Sequence, residues 1–115
     1  MHATELLSVE PKALKLIEDR SHPLYDPRVH MPLDPLLTLA IAARMHVLEP
    51  VRVRLLEDGE TYGVVAGRQR VRCTCWLNDT IDQGDTQARI WRTWPDLDFR
   101  SIVQAGASIS VTPET

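Results

Sequence analysis

Apolar and polar positions follow different periods in successive stretches of this chain. Across residues 35–46, Leu36, Leu37, Leu39, Ala40, Ile41, Ala43 and Met45 recur at helical spacing. Asp34-Pro35 stands before them, an N-cap acceptor followed by a proline suited to the first helical position. Leu48-Glu49-Pro50 ends that helix, and Val51-Arg52-Val53-Arg54-Leu55 then alternates as a half-exposed strand. Asp58-Gly59 separates this run from Tyr62-Gly63-Val64-Val65-Ala66, which predicts a hairpin. Val71-Arg72-Cys73-Thr74-Cys75-Trp76-Leu77 is compatible with a helix. A polar loop is expected at Asn78-Asp79-Thr80 and Gln83-Gly84-Asp85, then a last strand over Ala88–Trp94. A short helix near 98–105 and a polar tail complete the expectation.

The first third carries mixed signals. Glu5-Leu6-Leu7-Ser8-Val9 admits a short strand. Ser8 or Glu10 can equally open a helix, with Pro11 in its first turn and Ala13, Leu14, Leu16 and Ile17 as its stripe. The helix, over about 10–19, is the favoured reading. Residues 21–33 are rich in proline, which restricts both itself and its predecessor, so an ordered but irregular connection is expected. The sum is an α+β fold, one compact domain over 1–115 with a small mixed β-sheet flanked by helices.

Composition narrows the class. The chain has 115 residues, 43% hydrophobic and 25% charged, which suits one soluble domain with one modest core. No apolar run approaches the ~20 residues that span a bilayer, so no membrane partner is expected. Met1-His2-Ala3-Thr4-Glu5 lacks a signal-peptide pattern, and a cytoplasmic location is the expectation. Net charge is −3, unlike free-standing duplex binders, whose affinity draws on counterion release. Cys73 and Cys75 would project roughly 200° apart on a helix and cannot pair or share a metal. No zinc spacing, Ser-His-Asp order, H-E-x-x-H or Walker loop is present, and no metal site is expected.

The candidate chemistry lies at Gly67-Arg68-Gln69-Arg70-Val71-Arg72. A strand, one glycine and a helix start aim several backbone N–H groups, and the positive end of the helix dipole, at one point. Three arginines in five residues add planar donor forks, so the natural ligand is an anion, most simply a phosphate. The plainer alternatives are a tight turn at Gly67 and surface arginines paired with some of the sixteen acids. Trp76, Trp91 and Trp94 read as core or sheet-face residues, and an exposed one could stack a base.

Several of these segments together resemble the ParB N-terminal/sulfiredoxin-like superfamily. Asp26-Pro27-Arg28 is similar to its Asn-Pro-Arg box. The stretch Leu39 to Arg54 is similar to its "L-A-x-S-I-x-x-x-G-x-x-Q-P-I-x-V-R" run. Tyr62 to Cys73 is similar to "y-x-I-I-x-G-E-R-R-x-R-A". The likeness covers about residues 24–94. It implies a phosphate-binding loop at Gly67, Arg68, Gln69, Arg70 and Arg72, with Arg28 reaching the same pocket and CTP or ATP as the ligand. It also implies a partition-related protein of phage or mobile-element origin, for which a homodimer and a weak nucleic-acid contact are the partners to test.

The departures qualify that implication. Position 68 is arginine where ParB has glutamate and sulfiredoxin has its reactive cysteine, and position 69 is glutamine. ParB's E-N-x-x-R motif would fall on Gln104–Ser108, where none of its charged groups survives. Mg²⁺ therefore lacks its expected ligands, and binding without efficient hydrolysis is the main expectation. With no helix-turn-helix in these 115 residues, operator binding in the full ParB manner is not expected. Two rivals remain: a ParB-like nuclease or small-molecule kinase, and a protein- or DNA-interaction module without a ligand.

Overall fold

Five residues with no solvent exposure, Val51, Val53, Val64, Ile109 and Val111, form the centre of the sheet. The computed structural model describes residues 7–44, 50–95 and 109–114. Its strands are β1 (Leu7–Val9), β2 (Leu14–Lys15), β3 (Val51–Leu55), β4 (Tyr62–Ala66) and β5 (Ile109–Glu114). Its helices are α1 (Pro35–Arg44), α2 (Arg68–Gln83) and α3 (Thr86–Thr93). The sheet order is β1-β5-β3-β4-β2. The β3–β4 and β1–β5 pairs are antiparallel, and β3–β5 and β2–β4 are parallel, so the sheet is mixed as expected. Ile41 and Ala42 of α1, Val71, Cys73 and Leu77 of α2, and Ile90 of α3 close the core with the strands.

Local chemistry explains the elements that follow the expectation. Asp34 Oδ1 accepts from Leu36 N at 3.0 Å and Leu37 N at 3.3 Å, capping α1 as its Asp-Pro start predicts. In the β3–β4 hairpin, Gly59 takes the left-handed conformation at φ 73°. Asp58 Oδ1 accepts from Glu60 N (2.9 Å) and Thr61 N (2.8 Å), and its Oδ2 from Thr61 Oγ1 (2.6 Å). These donors, the Thr61 hydroxyl foremost, favour the charged carboxylate and hold the Asp58 pKa at about 2.

Four expectations are corrected. The helix over 10–19 does not form: Pro11–Ala13 is a single 3-10 turn, after which Leu14–Lys15 extends as β2 beside Tyr62–Gly63 of β4. The alternative strand is present at Leu7–Val9, and Glu5 and Leu6 lie outside the described residues. The polar loop over 78–85 is helical as far as Gln83. Thr74 and Thr80 are buried there without penalty, because their hydroxyls donate to Arg70 O (2.6 Å) and Trp76 O (2.8 Å) one turn back.

The expected strand over 88–94 is the helix α3. Its buried residues Thr86 and Ile90, and the partly buried Trp94, stand four apart, a helical period hidden under strand-forming residue types. The polar tail, finally, is β5, lying between β1 and β3. Pro113 stands opposite Val53 of β3, and the described pairing of β5 with β1 runs over Ile109–Val111. The helix expected near 98–105 lies outside the described residues, as does the segment matched to E-N-x-x-R. Among the described residues, no helix is long and apolar enough to cross a membrane.

Candidate anion-binding site at the Gly67 loop

Gly67 ends β4 and precedes α2 with φ 103° and ψ 26°, a left-handed conformation that disfavours any side chain. It has no side chain to cap the helix, and Val71 N is the amide that closes back on its carbonyl, at 3.1 Å. The amides of the first turn therefore point out of the start of a 16-residue helix. This is the local geometry anticipated for an anion cradle.

The side chains of that turn divide into two groups. Arg68 is turned inward, its side chain only 10% exposed. Its Nη1 donates to Val65 O and its Nη2 to Leu24 O, each at 2.7 Å. Gln69 Nε2 donates to Pro32 O at 2.9 Å, and Arg72 Nη1 donates to Met31 O. Three of the six candidate residues thus tie α2 to carbonyls of the proline-rich segment 24–32. The amides of Leu24, Tyr25, Arg28, Val29 and Met31 in that segment are spent on local bonds, and its carbonyls take side-chain donors from α2 instead. Arginine's planar fork suits this task, reaching two carbonyls at once.

Arg70 is placed differently. Its guanidinium folds back over Gly67, so that a Cβ added at Gly67 would lie 2.7 Å from Arg70 Nη2. The same Nη2 lies 3.4 Å from Pro50 O. Arg28 comes to the site through Asp26. In the 3-10 helix Pro27–His30, Asp26 Oδ1 accepts from Arg28 N at 2.9 Å and lies 3.6 Å from Arg28 Nε. Asp26 Oδ2 lies 3.8 Å from Arg68 Nη1. The Arg28 amide, and then the Arg28 and Arg68 charges, hold the Asp26 carboxyl below the usual aspartate range. Arg28 itself is 76% exposed, at the margin of the loop.

The remaining reactive groups do not converge here. Cys73 Sγ lies 3.7 Å from Asp34 O and from Gln69 Oε1, and burial pushes its thiol pKa up. His22 ties two loops together, its Nδ1 accepting from Leu24 N (3.1 Å) and its Nε2 donating to Glu57 Oε1 (3.0 Å). His30 packs against the Tyr25 ring with centroids 5.9 Å apart. His46 lies outside the described residues. Among the described residues, no three of His, Cys, Asp and Glu gather as metal ligands.

Sequence reasoning located the loop but not the destination of its side chains. Leu24, Met31 and Pro32 take part through backbone oxygens, which no side-chain pattern marks. No protein-family model, curated protein or solved structure matches the chain.

Proposed function

We propose that this is a ParB-like domain that binds a nucleotide or other phosphorylated ligand at the Gly67 loop, without efficient hydrolysis. The observation that carries the reading is the left-handed Gly67 opening α2 with the Arg70 guanidinium folded over it. Backbone amides and one cation there meet a phosphate from the same side. In this reading Arg70 and the first-turn amides touch the ligand. Arg68, Gln69 and Arg72 are positioning residues that hold segment 24–32 as a wall, and Arg28 stands at the entrance.

Isothermal titration of the folded chain with CTP, ATP, GTP and inorganic phosphate tests the proposal. Saturable heat is expected with at least one of them, weakened about tenfold or more in Arg70→Gln, since one charge-assisted contact is worth ~1.5–3 kcal/mol. No heat from any of the four would overturn it.

A second reading, an interaction module, draws on one further observation. Met31 (51% exposed), whose carbonyl receives Arg72, and Leu36 (69% exposed), in the first turn of α1, present large apolar side chains to solvent. Light scattering across a concentration series tests its dimeric form, for which a mass that stays monomeric at high concentration would count against it.

A further inference from the structure

The second half of α2 carries a feature unrelated to the Gly67 loop. Trp76, Asp79, Thr80 and Gln83 come round on one face of the helix, at positions i, i+3, i+4 and i+7. Across from them, Arg89, Arg92 and Thr93 share one face of α3. Between the two faces is a cleft of about 500 Å³, within the size range of small-molecule sites.

The lining combines an aromatic wall with positive charge that no described carboxylate pairs. Trp76 is braced by Trp94, with ring centroids 4.9 Å apart and planes at 51°. Arg89 is aimed by its Nε, which donates to Gly84 O at 2.9 Å and leaves both terminal nitrogens of the fork. Among the described residues, no carboxylate pairs with Arg89 or Arg92. The acid of the lining, Asp79, is already engaged by Lys12 Nζ at 2.6 Å. The turn that sets α3 against α2 is itself strained. Gly84 has φ 81°, and Asp85, at φ 55°, is the non-glycine residue with positive φ among those described. Arg89 braces that turn as well, its amide donating to Asp85 O at 2.9 Å.

We infer that this cleft binds a small aromatic anion: a planar ring against the Trp76 indole, with one acidic group between Arg89 and Arg92. Gln83 supplies a donor and an acceptor for ring substituents. The Thr93 hydroxyl, whose proton already goes to Arg89 O at 2.9 Å, can only accept. Two guanidiniums select an anion over a neutral ring, and the indole selects a ring over a bare anion. Aryl phosphates and aryl carboxylates share this chemistry. The inference is independent of the Gly67 reading, because the cleft shares no residue with that loop.

Amide and indole N–H shifts of the full chain, followed by NMR, test it. The probes are 1-naphthyl phosphate and 1-naphthoate, with 1-naphthol and inorganic phosphate as the two halves. Saturable shifts are expected at the Trp76 indole and at residues 79–93 with at least one of the two anions. Each half should bind about tenfold more weakly or worse. Arg92→Gln, at an exposed position, should lose about tenfold in affinity with an unchanged melting temperature. Arg89→Lys should keep part of the binding, because it keeps the charge but loses the fork. Undiminished binding in Arg92→Gln overturns the inference. So do shifts confined to Gly67–Arg70, or no saturable shift with either anion. The preferred anion of the two identifies the source of the acidic group.

Discussion

The two ends of α2 use arginine in opposite ways. At the N-terminal end, Arg68 and Arg72 are docked on carbonyls of segment 24–32, and the dense basic cluster is largely part of the scaffold. At the C-terminal end, Arg89 and Arg92 of α3 are spread thinly in the sequence, yet they face an open cleft in which, among the described residues, no carboxylate pairs with them and Asp79 is engaged by Lys12. Density of charge along a chain is therefore a poor guide to charge available for a ligand. What decides availability is whether neighbouring backbone already satisfies the donors.

The largest expected effect lies on the scaffold side. Arg68→Met should destabilise the fold by about 2–4 kcal/mol, since it orphans two carbonyls and takes a paired cation from the interior. Urea unfolding measures this. A loss below ~0.5 kcal/mol, as at ordinary surface positions, would mean that the latch is not structural.

Two glycine substitutions sharpen the contrast between scaffold and site. Gly67→Ala and Gly59→Ala both place a side chain at positive φ, each costing roughly 1–2 kcal/mol. Nothing lies within 4 Å of a Cβ at Gly59, whereas at Gly67 it meets the mobile end of Arg70. The stability losses should therefore be similar, while phosphate-ligand binding falls only in Gly67→Ala. Equal loss of binding in both would detach Arg70 from the proposed site. Arg72→Gln and Gln69→Ala, each removing one partly exposed bond, should cost only about 0.5–1.5 kcal/mol in the same unfolding assay.

Two smaller effects are read by pH and by thiol chemistry. The Asp58 carboxyl is held at about 2 in the folded chain, below its value in an unfolded one. Its contribution is thus fully present above about pH 4 and is lost as pH falls through 2. Melting temperatures taken down this range should converge for the wild type and Asp58→Asn. Cys73 and Cys75 both have thiol pKa values raised by burial, so at neutral pH a disulfide-exchange reagent should react slowly with the folded chain and rapidly after unfolding. Fast reaction in the folded state would show that the face of α2 bearing Cys73 opens readily.

Much of the architecture is legible where local chemistry and packing agree. Asp34-Pro35 opens α1, Asp58-Gly59 turns the hairpin, and Gly67 stands between β4 and α2, all as residue types require. The readings that failed did so where one signal masked another. Residues 86–94 carry strand-forming side chains over a four-residue burial period, and contact with α2 and the core selects the helix. Residues 109–112 alternate cleanly, Ile-Ser-Val-Thr, but Pro113 argues against an internal strand, and only the pairing with the distant β3 places them in the sheet.

By itself, then, the sequence determined the α+β class, the hairpin and the glycine that starts α2, because each depends on contacts within a few residues. The tertiary structure alone decided which arginines are docked and which face open space. Arg68 meets Leu24 across 44 positions and Arg72 meets Met31 across 41. Whether a guanidinium is held by a carbonyl so distant along the chain depends on where folding brings the backbone, and no local pattern encodes that.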